Sequence, residues 1–416
     1  MADAGSSELV AAQAALDWAR ELDRQGDESS VDYFYRAAAQ ASLLPTADGP
    51  TAQVYCEAMT GLLDAGQRYG RLDPRGTLVV DDGGRRVVPL RYYGFPWRPA
   101  DFSRLSFASE YSAPTIARRI GNPGIGVPMV VERIAESPGD EFMNAWQPFG
   151  ATAVLRPIGG GHDLPGGTSA RGFALEFYNP LAIDSIVWQG GQRPLARDLT
   201  APLAAVVDET PRQYLRGFTS PGDTSVRPKL AMLEPYQRGK MPVVLIHGLY
   251  SDPVTWSDML NELQSQGDLY QRYQFWTFRY PTGGEVLASA AALRRQLYAA
   301  RSTFDPAHAD AALDSMVVVG HSLGGLVAEM ETTASYNLLW REIANDSFAT
   351  LRAPPEVRQQ LASEFFFTPV PMIRRVVFIG TPHQGSSMAR RLAGKLGNAL
   401  IHFSPDVRSE RAQLVE

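Results

Sequence analysis

The chain has 416 residues, of which 44% are hydrophobic and 20% are charged, as in an ordinary folded protein. This composition excludes a largely disordered chain, a collagen-like chain and a coiled coil. The formal net charge of −6 argues against a dedicated nucleic-acid-binding protein, which would carry a basic face. The single cysteine, Cys56, excludes an intrachain disulfide and a cysteine-based metal cluster. The length predicts two or three domains.

The N-terminal residues MADAGSSELV lack the basic and apolar regions of a signal peptide. No run approaches the roughly 18 apolar residues that identify a membrane-spanning helix. We therefore expect no transmembrane segment and, by default, a cytoplasmic protein, although a trimmed N-terminus would give the same pattern. We expect neither a metal nor an organic cofactor and no nucleic-acid partner, and the sequence leaves protein partners open.

Three segments with apolar residues at helical spacing begin the chain. They are residues 8–24, 31–43 and 51–69. We interpret residues 1–70 as a helical N-terminal segment that serves packing or docking, because no chemistry is concentrated there.

Residues 72–232 have the pattern of a β-rich domain. The segment Asp81–Gly84 lies between two apolar stretches and predicts a hairpin. Further predicted strands are 151–157, 172–178, 184–189 and 203–207. The glycine-rich segment 158–168 predicts a flexible loop and not a phosphate-binding loop, because Pro165 argues against a following helix. His162 in this segment is predicted to be solvated.

The last part of the chain, residues 238–416, alternates predicted strands with predicted helices. The strands are 242–246, 274–280, 315–319 and 374–379, and the helices are 285–301 and 323–333. This alternation predicts an α/β fold with a mostly parallel sheet and helices on both faces. Active sites of such sheets lie beyond the carboxyl ends of the strands.

The segment Gly320–Gly325, GHSLGG, lies directly between a predicted strand and a predicted helix. The G-x-S-x-G pattern alone is weak evidence for a catalytic serine turn. A strand before it and a helix after it are the context that supports this interpretation. The tight turn is expected to strain the backbone of Ser322 and to hold its hydroxyl out at the sheet edge. The nearby helix N-terminus favours developing negative charge there.

A second motif, His247–Tyr250, follows the predicted strand 242–246. The glycine at its second position frees the backbone, so that a following N–H can turn toward the serine. We expect an oxyanion hole formed by the N–H of Leu323 with that of Leu249 or, alternatively, Tyr250. His247 is predicted to hold the loop and not to act as the base.

A third motif, Thr381–Ser386, follows the predicted strand 374–379 and should reach the same sheet edge. We interpret it as a loop that shapes the floor of the pocket, with His383 as a working base being the alternative. The candidates for the substrate pocket are His247, Tyr250, His321 and His383.

These three motifs, in this order, resemble the α/β-hydrolase superfamily in its esterase and lipase branch. The resemblance covers about 238–390, and it is specific for the fold but not for the substrate. It implies Ser322 as the nucleophile, an acyl-enzyme that water hydrolyses, and a small-molecule or lipid ester as the substrate. An amidase or thioesterase would use the same residues. A noncatalytic scaffold or binding protein with this fold is the alternative from a different class.

The chain departs from the superfamily order of serine, acid and histidine. Only His383 and His402 follow Ser322, and Asp406 precedes no histidine. Residues 387–402 predict one amphipathic helix where further strands are expected. We therefore expect a C-terminally truncated hydrolase with an incomplete sheet and weak or no turnover, or else a complete chain with a nonstandard or absent base.

An insertion at about 336–372 separates the helix after Ser322 from the predicted strand at 374. Its position predicts that it covers the carboxyl edge of the sheet. Trp340 and Phe365–Phe367 could line an acyl pocket or form a lid. The alternative is that they form the core of a small cap.

Overall fold

The computed structural model describes residues 2–44, 49–112, 114, 116–133, 140–144, 146–158, 172–209, 227–283 and 285–384. The chain forms two compact units. The first comprises Met1–Ala135, Ala145–Glu209 and Asn261–Tyr270, and the second comprises Glu136–Asn144, Thr210–Leu260 and Gln271–Glu416. Within the described ranges, no helix has the length and apolar character needed to cross a bilayer.

Three helices begin the first unit: α1 (Ala2–Arg24), α2 (Ser30–Leu43) and α3 (Pro50–Arg68). They coincide with the three helices predicted from the apolar spacing. Small residues allow close packing of α2 and α3, because a side chain at Gly61 would overlap the ring of Phe34. These helices belong to the same compact unit as the sheet that follows, so the three-part division predicted from the sequence differs from the observed division into two units.

The first unit contains eleven strands in its described part. They are β1 (Leu72–Asp73), β2 (Thr77–Asp81), β3 (Arg85–Tyr93), β4 (Arg104–Phe107), β5 (Gly121–Asn122), β6 (Val127–Glu132), β7 (Phe149–Ile158), β8 (Gly172–Tyr178), β9 (Ser185–Trp188), β10 (Gly191–Pro194) and β11 (Arg197–Asp198). Seven strands form one sheet in the order β1-β2-β3-β8-β7-β6-β4, in which β3 and β8 run parallel and the other neighbours antiparallel. The predicted hairpin is β2–β3, and Gly83 and Gly84 supply its positive φ angles of 70° and 141°.

Aromatic side chains fill the core of the first unit. Phe102 is fully buried, and its ring lies 5.1 Å from that of Phe149 and 5.7 Å from that of Phe177. The hydroxyl of Tyr55, on α3, accepts a hydrogen bond from the Leu155 N–H at 2.9 Å and donates one to the Leu155 carbonyl at 3.1 Å. Tyr55 thereby satisfies backbone groups of β7 beyond the end of its pairing with β6.

One strand prediction for this unit is wrong, and several of its strands were not predicted. Residues 203–207, predicted as a strand, lie in helix α4 (Ala201–Glu209), because a short apolar run fits a buried helix as well as a strand. Its start is capped by Asp198, whose carboxylate accepts a hydrogen bond from the Ala201 N–H at 3.0 Å. Strand β6 was not predicted, since Pro128 interrupts its apolar run.

The second unit contains a five-stranded sheet in the order β12-β14-β13-β15-β16. Its strands are β12 (Lys229–Met232), β13 (Met241–Ile246), β14 (Tyr273–Arg279), β15 (Met316–His321) and β16 (Ile373–Ile379). The last four run parallel, as predicted, and β12 pairs antiparallel with β14. β12 therefore belongs to this sheet, although residues 229–232 were predicted to be the end of the β-rich domain.

Helices α5 (Ser257–Gln264) and α6 (Gly267–Arg272) each include residues assigned to both units. The remaining helices are α7 (Val286–Phe304), α8 (Leu323–Met330), α9 (Leu338–Arg341) and α10 (Pro355–Phe365). α7 packs against α8 and α10 and buries an alanine-rich face that includes Ala290, Ala291 and Ala300. The glycine-rich stretch 159–171 with His162, and the predicted helix 387–402, lie outside the described residues.

Candidate active site

The three motifs identified in the sequence meet at one edge of the second sheet. Ile246, at the end of β13, is paired with Gly320 of β15, and His321 is paired with Ile379 of β16. The loops that follow these three strands therefore leave the sheet side by side, because parallel strands end at the same edge.

Ser322 lies in the strained turn between β15 and α8. Its backbone angles are φ 51° and ψ −119°, a region that favours glycine and that costs other residues about 1–3 kcal/mol. Two hydrogen bonds hold the turn: the Ser322 N–H donates to the Ile379 carbonyl at 2.8 Å, and the Gly325 N–H donates to the Ser322 carbonyl at 3.0 Å. The half-buried Ser322 side chain makes no capping hydrogen bond to its own helix.

The glycines around Ser322 are required by close backbone packing. A side chain at Gly320 would lie 2.5 Å from the Cα of Gly325, so it would collide with the first turn of α8. A side chain at Gly324 would overlap the carbonyl oxygen of His247, and one at Gly325 would overlap the hydroxyl of Thr381. The helix can approach β13 and the loop after β16 only without these side chains.

The loop after β13 lies directly against Ser322. A side chain at Gly248 would lie 3.0 Å from the Cβ of Ser322 and 2.9 Å from the Nδ1 of His321. Leu249 is half-buried, and Tyr250 is 44% exposed with a strained φ of 54°. Leu323 is the first residue of α8, so its N–H has no partner within the helix. Gly248, which precedes Leu249, therefore borders the serine turn, and Leu323 follows Ser322 directly.

His247 is buried beside this loop and is hydrogen-bonded to it. Its Nδ1 lies 3.1 Å from the carbonyl oxygen of Gly248. Burial lowers the pKa of His247 to about 4, against the opposing effect of the Gly248 hydrogen bond. His247 is therefore uncharged near neutral pH, which agrees with a role in holding the loop. A second partner, Tyr280, was not predicted, and it donates its hydroxyl hydrogen to the His247 carbonyl at 2.8 Å.

His321 and His383 occupy different surroundings. His321 is exposed, and its ring stands edge-on to Trp256 with 6.5 Å between ring centroids. The Nδ1 of His383 lies 3.0 Å from a carboxylate oxygen of Glu329, the seventh residue of α8. Glu329 was not predicted as a partner, because 54 positions of chain separate it from His383. The contact attaches the loop after β16 to α8 beyond its first turn.

The insertion at 336–372 forms a small hydrophobic core of its own. Trp340, Leu361 and Phe365 are buried together, and Leu287 of the first turn of α7 packs against them. Trp340 and Phe365 thus have the packing of core residues in a cap. The rings of Phe366 and Phe367 line a separate cavity of about 440 Å³, whose lining includes no residue of the three motifs.

A buried ion pair lies beneath the insertion. The Nε of Arg294 is 3.2 Å from a carboxylate oxygen of the fully buried Glu331, and its guanidinium lies over the ring of Phe367 at 4.4 Å. The contact with Arg294 is close but poorly aligned for a hydrogen bond, so the carboxylate oxygens of Glu331 make no well-formed hydrogen bond. Burial raises the pKa of Glu331 to about 8, although Arg294 opposes this shift.

In the described part of the chain, no group of three or more histidine, cysteine or acidic side chains is arranged to hold a metal ion. His308, the remaining described histidine, has its Nδ1 2.7 Å from the guanidinium of Arg301, which also binds Asp305 and Asp314.

Residues 243–411 match the profile of a family described as the alpha/beta hydrolase family. No curated protein matches the chain. Two similar solved structures are crystal structures of the Bacillus licheniformis lipase BlEst2, in its mature form and in its propeptide form. Both are 19% identical to the chain. The match to the mature form covers 40% of this chain and 51% of the lipase chain, with a TM-score of 0.24. The match to the propeptide form covers 39% of this chain and 28% of the lipase chain, with a TM-score of 0.23. The chain thus spans about half the length of the mature lipase that it matches.

Proposed function

We propose, from the match of residues 243–411 to the alpha/beta hydrolase family, that this protein is a serine hydrolase that cleaves carboxylic esters through an acyl-enzyme on Ser322. The observation that carries the proposal is the backbone of Ser322, at φ 51° and ψ −119° between β15 and α8, with the loop of Gly248 against its Cβ. A serine with only a structural role would have no need of this strained conformation.

In the proposed reaction, the hydroxyl oxygen of Ser322 attacks the carbonyl carbon of the ester. The negative charge that develops on the carbonyl oxygen is received by the N–H groups of Leu323 and Leu249. The tetrahedral intermediate expels the alcohol and leaves the acyl group on Ser322. Water then attacks the acyl carbon and releases the carboxylic acid.

This reaction needs a base that takes the proton of Ser322 and gives it to the departing alkoxide. The ring of His247 is buried and neutral, and the Nδ1 of His308 faces Arg301, so neither is placed to serve as this base. The Nδ1 of His383 lies at Glu329, an arrangement in which an acid can orient a base, and His321 is exposed beside Ser322. We therefore propose that neither His247 nor His308 is the base.

The test is covalent labelling of the full chain with a fluorophosphonate probe. We expect Ser322→Ala to abolish labelling. The hydroxyl oxygen of Ser322 attacks the phosphorus of the probe in the same way as it attacks the carbonyl carbon of the ester. The matched control is Ser315→Ala, which removes a serine directly before the start of the same strand, whose hydroxyl donates to the Ala311 carbonyl. Labelling that persists in Ser322→Ala, or that is absent from the unaltered protein, would contradict the proposal and favour a noncatalytic scaffold.

The substrate class is tested separately. Hydrolysis of p-nitrophenyl acetate is compared with that of the matching anilide and thioester, each with Ser322→Ala as the blank. We expect the ester to be cleaved in preference to the anilide. Preference for the anilide or for the thioester would identify an amidase or a thioesterase that uses the same serine.

A further inference from the structure

A buried pair, His247 and Tyr280, lies behind the loop that borders Ser322. The two side chains are 1% and 2% exposed, and their rings stack with 4.6 Å between centroids and 20° between planes. Tyr280 also makes two hydrogen bonds to His247: its hydroxyl donates to the His247 carbonyl at 2.8 Å, and its backbone N–H donates to Nε2 at 3.4 Å. One residue therefore fixes both the backbone and the ring of His247.

The hydrogen-bond partners of His247 determine where its ring proton lies. The carbonyl of Gly248 can only accept, so the Nδ1 at 3.1 Å from it must carry the hydrogen. The backbone N–H of Tyr280 can only donate, so Nε2 must be the unprotonated nitrogen. The neutral imidazole thus holds the Gly248 carbonyl in one direction, and Tyr280 holds the imidazole.

The direction of that carbonyl determines the direction of the next N–H. The peptide between Gly248 and Leu249 is planar and trans, so its N–H points opposite to its C=O. The carbonyl is turned toward the imidazole, which lies on the β14 side because it stacks on Tyr280. β13 lies between β14 and β15, so the N–H of Leu249 is turned toward the β15 side, where Ser322 lies.

We propose that Tyr280 is a positioning residue for the oxyanion hole, which acts through His247 to aim the N–H of Leu249 at the Ser322 site. This inference rests on the proposed function, because it assigns Tyr280 a role in the attack by Ser322. In this proposal Tyr280 acts through its contacts with His247 and not by binding the substrate.

The test is the rate of fluorophosphonate labelling of the full chain as a function of probe concentration. Tyr280→Phe keeps the ring stack and the backbone N–H but removes the hydroxyl bond to the His247 carbonyl. Loss of a whole oxyanion donor costs about 10²–10³ in rate, so we expect misalignment by Tyr280→Phe to slow the labelling step about 10-fold. The concentration of probe that gives half-maximal rate should stay unchanged, because reversible binding does not use the oxyanion charge. Tyr280→Leu, which also loses the ring stack, should slow the step further.

The matched control is Tyr236→Phe, which removes the hydroxyl bond of another tyrosine in the same unit, to Asp310, before the start of β13. It should lower the melting temperature without slowing labelling. A Tyr280→Phe protein that labels at the unaltered rate, while Ser322→Ala abolishes labelling, would overturn the inference and leave the proposed function standing. Equal slowing by Tyr236→Phe would also overturn it, because the effect would then follow stability alone. Absence of labelling in every form would overturn both proposals.

Discussion

The backbone of Gly324 packs so closely on His247 that any side chain at Gly324 would overlap the His247 carbonyl oxygen. Gly324→Ala should therefore separate α8 from β13, at a cost of about 1–3 kcal/mol in the free energy of unfolding, and should abolish labelling of Ser322. Chemical denaturation and probe labelling measure the two effects. Gly76→Ala is the control, since nothing lies within 4 Å of its added methyl group. If Gly324→Ala and Gly76→Ala behave alike, the close packing described for the serine turn is wrong.

The backbone strain at Ser322 predicts that glycine at this position gives a more stable protein than alanine does. Glycine adopts positive φ without steric cost, so Ser322→Gly should raise the free energy of unfolding by about 1 kcal/mol relative to Ser322→Ala, which keeps the strained angles. Both variants lack the nucleophile and should not label. Urea denaturation of the two variants measures the difference. Equal stability of the two would mean that the turn stores no strain.

Burial of His247 predicts a loss of stability in mild acid. The pKa of His247 is lowered from 6.5 to about 4, so folding favours the neutral ring. The associated stability is complete above pH 6.5 and is lost as the pH falls from 6.5 to 4, by about 3 kcal/mol. His247→Asn retains an amide donor but does not titrate, so its unfolding free energy should vary less over that range. Parallel curves for the two proteins would show that His247 does not titrate as its burial requires.

Burial of Glu331 predicts that the stability of the fold decreases as the pH rises, opposite to the effect of His247. Burial raises the pKa of this carboxyl group from 4.5 to about 8, so its folded form favours the proton. The corresponding stability is complete below pH 4.5 and is lost as the pH rises through 8. Glu331→Gln cannot ionise and should flatten the decline in melting temperature between pH 6 and 9. Glu342→Gln, at an exposed position, serves as the control. If the melting temperature of Glu331→Gln still declines over this range, the decline is caused by another group.

His383 is expected to be dispensable for labelling. Its partner Glu329 lies seven residues beyond Ser322 along α8, which corresponds to about 10 Å along the helix axis. His383→Ala removes an exposed contact whose contribution to stability is about 1 kcal/mol or less. The labelling rate should change less than about twofold. A fall of 100-fold would identify His383 as the base that takes the proton of Ser322.

The elements that could be predicted from the sequence are those with strong local patterns. The continuous apolar run at 242–246 predicted β13, and the helical spacing at 285–301 predicted α7. Ser322 could be assigned to a strained turn because its motif lay between a strand pattern and a helix pattern. The apolar run at 203–207 was wrongly predicted as a strand, because five consecutive apolar residues fit both the strand period and the helix period.

The supporting contacts of the site could not be predicted in this way. Tyr280 lies 33 positions from His247, and no periodicity relates two residues that meet only because β13 and β14 are neighbours. The pair formed by Glu329 and His383 likewise depends on how α8 packs beside the loop after β16. Such contacts follow from the assembled sheet, whereas the motifs follow from single segments.

Among the described strands of the sheet, the anchor of the serine turn lies on the one at the edge, β16. Within the described residues β16 pairs only with β15, and its side chains Val377, Phe378 and Ile379 are 46%, 40% and 40% exposed. A strand with one neighbour opens by local fluctuation at a lower free energy than the whole domain, and its amide hydrogens exchange sooner. Each such opening withdraws the Ile379 carbonyl from the N–H of Ser322 and frees the strained backbone to relax. On warming, the strained turn at Ser322 would therefore be lost in a partial transition that precedes cooperative melting of the inner strands.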